Sequence, residues 1–187
     1  MFQPEYKITD KIVKMLTDIA EGKSVIERAR LLPKQELKLR RQALIRMSHS
    51  STAIEGNNLN AREVEALIAN KKIDAPDRDV YEVKNYLKAL KYIETAVKTK
   101  KPITEKVVLK IHQLVTYKTV VPTSCGHFRK GLVHVVRKHF GGRQEVIYTG
   151  PEAKYVTKLM ADLLTWIKNK PVAIYPSRTN VLKQAVP

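Results

Sequence analysis

Ser50-Ser51-Thr52-Ala53-Ile54-Glu55-Gly56-Asn57 sets a single acid at the end of an uncharged run, just where a helical pattern gives way to Gly56-Asn57-Asn58. A carboxylate held there is positioned to meet a cation or a phosphate site elsewhere in the fold. The same letters also read as an ordinary helix end, because a glycine after the last turn is a frequent stop device. The choice between these meanings depends on what surrounds the run.

Upstream, Ile8, Ile12, Leu16 and Ile19 recur every three or four residues and predict an amphipathic helix that stops near Gly22. A second segment over residues 24–32 runs into Pro33. A third starts near Lys34, carries Leu37, Leu44, Ile45 and Ile54 on its apolar side, and ends at Gly56-Asn57-Asn58. Downstream, Asn60-Ala61-Arg62-Glu63 has an N-cap residue with an acid three positions later, ahead of Val64, Leu67 and Ile68. Residues 71–78 contain Pro76 and predict a loop. Val83, Tyr86, Leu87, Leu90, Ile93 and Val97 define a long helix, and Thr104 caps the next, with Val107, Val108, Ile111, Leu114 and Val115 on one face.

The pattern changes near Thr116. Residues 117–131 lack a helical period and hold Pro122, Ser124 and Gly126, which predicts a loop. Val133, Val135 and Val136, then Val146, Ile147 and Tyr148, flank Gly141-Gly142. β-Branched residues on either side of a double glycine predict a hairpin, with a turn longer than two residues if Lys138-His139-Phe140 and Arg143-Gln144 stay out of the strands. Val156, Leu159, Met160, Leu163, Leu164 and Ile167 form a last helix. The fold class expected is mainly α with one hairpin, in one structural unit.

Composition narrows the classes. The 187 residues are 43% hydrophobic, enough for one domain with its own core. No apolar run has the length of a membrane span and no secretory signal opens the chain, so the expectation is a cytoplasmic protein without a membrane partner. The one cysteine, Cys125, excludes an internal disulfide. A net charge of +17 attracts polyanions, but its lysines and arginines run from Lys7 to Lys183 between apolar helical positions, which points to non-specific nucleic-acid attraction at most. The chain lacks a GxxxxGK loop, GxGxxG, HExxH and a nucleophile elbow. His112 sits beside Ile111 as a packed side chain. His134 and His139 fall in the hairpin with no acid or thiol at metal-ligand spacing, and no metal site is expected. Cys125, before Gly126-His127, reads as a small loop residue. A lone hairpin in a helical protein needs packing or a purpose, and its free edge offers one: pairing with an extended peptide.

Two of these segments together resemble the Fic family. Ser51-Thr52-Ala53-Ile54-Glu55-Gly56 is similar to that family's inhibitory motif, (S/T)xxxE(G/N). Gly126-His127-Phe128-Arg129, the hairpin, and Ile147-Tyr148-Thr149-Gly150-Pro151 resemble its flap, with a GxxR-type entry and a proline-containing exit. The likeness runs from about residue 35 to about residue 170, in the family's order.

The resemblance implies a division into N-terminal helices with an inhibitory helix (residues 1–60) and a partial Fic core with the flap near residues 132–149 (residues 61–187). It implies that Glu55 is the inhibitory acid, that Ser51 fixes its helix and that Gly56 ends it. Val133, His134, Val135, Val136, Ile147 and Tyr148 would bind a target segment. Fic enzymes transfer AMP from ATP, with magnesium, to Ser, Thr or Tyr hydroxyls, using a loop of the type HxFx(D/E)GNGRxxR. Its histidine is the general base, its acid holds magnesium, and its glycine-rich turn cradles phosphates. No such loop follows Lys170, where Lys170-Pro171-Val172-Ala173-Ile174 meets the break at Tyr175-Pro176-Ser177. The expectation is a truncated or degenerate relative with no catalytic residue and no cofactor of its own, inactive alone. An antitoxin-like module acting on a Fic enzyme, or a basic nucleic-acid binder, are the alternatives, and a homo-oligomer is compatible with each.

Overall fold

The chain turns into helices wherever an apolar repeat meets a cap, and the computed structural model describes these over residues 2–5, 7–30 and 32–169. The expected helix over residues 170–174 and its break lie outside the described residues. Helix α1 (Asp10–Arg28) starts at Thr9, whose hydroxyl accepts from the Ile12 N–H at 3.4 Å, with Asp10 in the first turn and Arg28 in the last. It runs straight through Gly22, so the two expected segments are one. An interior glycine costs about 1 kcal/mol against alanine. Two short helices would each need a new pair of caps, and Ile12, Ile19 and Ile26 keep one seven-residue frame across the glycine.

Helix α2 (Pro33–Ala53) opens with proline at its first position, where no N–H is needed, and with the Leu32 N–H donating to Gln35 Oε1 at 3.3 Å. An Arg40–Glu36 pair at 2.6 Å bridges one turn of its surface. The expected apolar side is not its buried side. Leu37 and Ile54 stand in solvent, Leu44 and Ile45 are half-buried, and the residues it buries are Ser48 and Thr52.

The core lies between α3 (Ala61–Ile68) and α4 (Asp77–Lys98). Asn60 Oδ1 accepts from Arg62 and Glu63 N–H while the Glu63 carboxylate accepts from Asn60 N–H at 2.8 Å, a reciprocal cap that fixes where α3 begins. Val64, Leu67 and Ile68 then face inward. Leu59, Val64, Leu67 and Val83 form the buried cluster, with Ile73, Ala75, Val80 and Leu87 around it. Full burial of a side chain such as Val64 or Val83 contributes about 1.5–3 kcal/mol. Helix α5 (Glu105–Thr116), capped by Thr104, packs along α4 and buries Val107. Asn85 of α4 sends its amide hydrogens to the Val115 and Tyr117 carbonyls at 3.3 and 2.6 Å, closing the end of α5 while its own Oδ1 stays without a partner among the described residues.

After α5 a loop with one short helical turn (Pro122–Ser124) leads to strands β1 (His134–Lys138) and β2 (Gln144–Thr149), an antiparallel pair that forms a sheet by itself. The strands take in Lys138 and Gln144, leaving His139 to Arg143 as the turn. Gly141 and Gly142 have φ of +89° and +83°, a region that suits glycine. Helix α6 (Ala153–Asn169) follows and returns to α5. Its Trp166 meets Phe2 edge-on at 5.4 Å. No helix among the described residues is long and apolar enough to cross a membrane.

Candidate functional site

The end of α2 closes through backbone hydrogen bonds. Gly56 N–H donates to the Ala53 carbonyl at 3.0 Å and Asn57 N–H to the Thr52 carbonyl at 3.2 Å, while Gly56 takes φ +90°. This is the paired closure that a left-handed residue allows after a helix. Glu55 lies in that turn, two residues past Ala53, and its side chain is exposed. Among the described residues no hydrogen bond or ion pair occupies its carboxylate. A negative charge at a helix C-terminus meets unpaired carbonyls and is disfavoured by roughly 0.3–1 kcal/mol.

The turn that carries Glu55 is held firmly. Asn57, almost fully buried, donates from Nδ2 to the Asp79 carbonyl and to Glu82 Oε2, both at 2.9 Å, and accepts from Leu59 N–H at 3.1 Å. Asn58 N–H donates to Asp79 Oδ2 at 3.3 Å. One turn back, Ser51 Oγ donates to Tyr86 Oη at 3.0 Å. Residues 51 and 57 meet residues 86 and 79–82 of α4, so the two helices run antiparallel and the tip is tied at two levels. Ser51, Glu55 and Gly56 thus share one rigid element. Sequence reading missed Asn57, Asp79 and Tyr86 as its anchors. The signal was faint: a second asparagine after the glycine, and an acid in the first turn of α4.

A second assembly surrounds the hairpin. Gly126 has φ +76°, and a Cβ there would come within 2.9 Å of Gln113 Cβ, so only glycine lets this loop lie on α5. Gly126 N–H donates to His112 Nδ1 at 3.0 Å, and Cys125 Sγ rests 3.4 Å from the Gln113 carbonyl. His112 and Cys125 therefore dock the loop. Arg129 then clasps both ends of the hairpin, donating to the Gly131 carbonyl at 2.5 Å and to the Pro151 carbonyl. Gly150 N–H donates to the Val133 carbonyl at 2.8 Å, closing the same base.

Every residue of both strands is exposed. Val133 lies just outside β1, at the clasp. Val135 pairs with Tyr148 and Val136 with Val146, which leaves Ile147 as the extra residue of a bulge. His134 Nδ1 meets Thr149 Oγ1 at 3.0 Å, and His139 Nε2 meets Glu145 Oε2 at 2.9 Å, so both histidines tie the strands together. The Glu55 turn and the hairpin are separate elements: α4 packs on both α2 and α5, and the loop into the hairpin docks on α5. No cluster of three His, Cys, Asp or Glu side chains that could hold a metal ion occurs among the described residues.

No protein-family model matches the chain, and no curated protein matches it. Among solved structures, it is similar to a Fic family protein from Desulfovibrio desulfuricans G20, with 35% identity and a TM-score of 0.70 over 90% of this chain. The alignment covers 48% of that protein, so the chain spans about half the length of the structure it matches. The fold of the chain is Fic-like: the described residues form six helices and one two-stranded hairpin.

Proposed function

We infer, from this Fic-like fold, that the chain is the regulatory and target-binding part of a Fic-type AMP transferase, with Glu55 as the inhibitory acid and the hairpin as the flap. The observation that carries the reading is the Glu55 carboxylate: exposed, without a partner among the described residues, at a position where helix electrostatics oppose it, on a turn tied down by Asn57 and Ser51. A rigid mount for an unpaired acid suits a brake whose arginine belongs to the catalytic loop. The free strand edges and the Arg129 clasp support the flap role, since an extended target can add to an exposed edge through its backbone.

AMP transfer needs a loop of the type HxFx(D/E)GNGRxxR, which these 187 residues do not contain. The chain by itself is therefore proposed to be inactive. An antitoxin-like role in trans has less support, because such a partner needs only the inhibitory helix and this chain also builds the hairpin. The test joins residues 1–169 to the half of the Desulfovibrio protein that the alignment leaves out. With labelled ATP and a lysate, the 187-residue chain should label nothing. The chimera should label weakly, and Glu55→Gly should raise its labelling at least tenfold. Labelling by the chain alone, or a chimera indifferent to Glu55→Gly, refutes the reading.

A further inference from the structure

Helix α4 sorts its charge by side. At about 100° per residue, Lys84, Lys88, Lys91 and Lys98 fall within a sector of roughly 80°, with Tyr81 and Tyr92 beside it. On α4, Asp77 of the first turn falls inside this sector, between Lys84 and Lys88, and Glu94 lies about 40° beyond its edge. More lysines reach the same side from neighbouring elements. Lys118, from the loop after α5, donates to Tyr81 Oη at 2.9 Å and lies 4.8 Å from the Tyr81 ring centre. Both Lys118 and Lys88 stand 5.7 Å from the Tyr117 ring, and Lys101 stands 5.5 Å from the Tyr92 ring. Lys71 and Lys72 join Lys84, with Asp77 among them, around a cleft of about 220 Å³ at the N-terminal end of the helix.

All these lysines are exposed, and none has an ion-pair partner among the described residues. A few surface cations elsewhere are paired, as in Arg40–Glu36, Arg41–Glu65 and Arg78–Glu82. Unscreened like charges gathered on one surface repel one another, and a polyanion relieves that repulsion while releasing counterions. The Lys118 ammonium is held above the ordinary lysine range, first by its hydrogen bond to Tyr81.

We propose that the lysine side of α4, with Tyr81, Tyr92, Tyr117 and Lys118, is a binding surface for single-stranded nucleic acid. Lysines along the helix meet successive phosphates. The exposed Tyr117 ring, set edge-on to Tyr81 at 6.4 Å, offers a face on which a base stacks. That aromatic component is what favours a nucleic acid over an acidic protein segment, which would use the charges and leave the rings idle. The surface is independent of the Glu55 reading and needs no catalytic loop.

The experiment is fluorescence anisotropy with a labelled 20-nucleotide oligouridylate and the full chain, between 50 and 200 mM salt. About four phosphate contacts give a slope of log K against log salt near −3. Lys84→Ala, Lys88→Ala and Lys91→Ala together, on an exposed helix face where alanine folds well, should weaken binding at least tenfold and flatten the slope by about 2. Lys34→Ala, Lys38→Ala and Lys158→Ala leave the same net charge and should weaken it less than about threefold. Tyr117→Leu should weaken it about fivefold with the slope unchanged. No binding at 50 mM salt, equal losses in the two triple variants, or competition by polyglutamate as effective as by unlabelled oligonucleotide would each overturn the proposal.

Discussion

Asn57→Ala removes the side chain that locks the end of α2 onto α4, and the structure lets its cost be divided. The Leu59 N–H, nearly buried, loses its acceptor and gains no water, about 1–3 kcal/mol. The Asp79 carbonyl loses one donor but, as a helix carbonyl in the first turn of α4, keeps its place in the helical ladder. Glu82 keeps its pair with Arg78 at 3.0 Å, so its loss is also small. The sum is about 2–4 kcal/mol, a large share of the 5–15 kcal/mol typical of a domain. Urea unfolding followed by helical circular dichroism measures it, and a chain of this length should lose roughly 5–15 °C in Tm. Asn57→Asp should cost more at neutral pH, because the new carboxylate replaces a donor beside Glu82 and the Asp79 carbonyl, and should recover as the pH falls and that carboxylate protonates. Asn58→Ala, which deletes one 3.5 Å contact on an exposed side chain, is the control and should cost less than about 1 kcal/mol. If Asn57→Ala and Asn58→Ala cost the same, the lock is not what holds the turn.

Glu55→Gln should leave Tm unchanged or raise it slightly, by up to about 1 kcal/mol of stability, because it removes a charge the helix end opposes; a clear loss would show that the acid serves the fold. Gly126→Ala should cost at least about 2 kcal/mol in the same unfolding assay, from φ +76° and the 2.9 Å approach to Gln113 together; a neutral effect would mean the loop does not dock on α5 as described. Arg129→Ala should speed hydrogen exchange across residues 131–151 while leaving α3 to α5 protected, and Arg129→Lys should restore part of the protection; uniform change across the chain would make Arg129 a general stabiliser and not a clasp.

Local signals were the ones that could be read in advance. Asn60 with Glu63, Thr104 before Val107, and Gly141-Gly142 between valine-rich strands carry their physics within four or five residues, and each element formed where its sequence placed it. Gly22 misled because a glycine is punctuation only where the apolar frame also ends, and here Ile26 continues it. The buried side of α2 was illegible for a different reason. Ser48 and Thr52 are buried while Leu37 and Ile54 face water, so hydrophobic periodicity pointed to the wrong side. Glu55 and Gly56 were visible in the sequence as a motif, but the parts that hold them, Asn57 on Asp79 and Ser51 on Tyr86, join residues more than twenty positions apart. The lysine side of α4 was hidden in a charge spread along the whole chain, since the share contributed by Lys118 and Lys101 depends on how the loops return to the helix.

Among the described residues, the hairpin is a ladder with nothing beneath it. With every strand residue exposed, no apolar burial supports it, and an isolated two-stranded pair in water is marginal. It should open and close many times before the helices unfold once. A peptide strand added to its edge must then order both partners at the moment of contact, which lowers affinity and shortens the residence time of the complex. A clamp of that kind releases what it holds quickly. Under the flap role proposed above, fast exchange of bound segments is an advantage that a better packed sheet would forfeit.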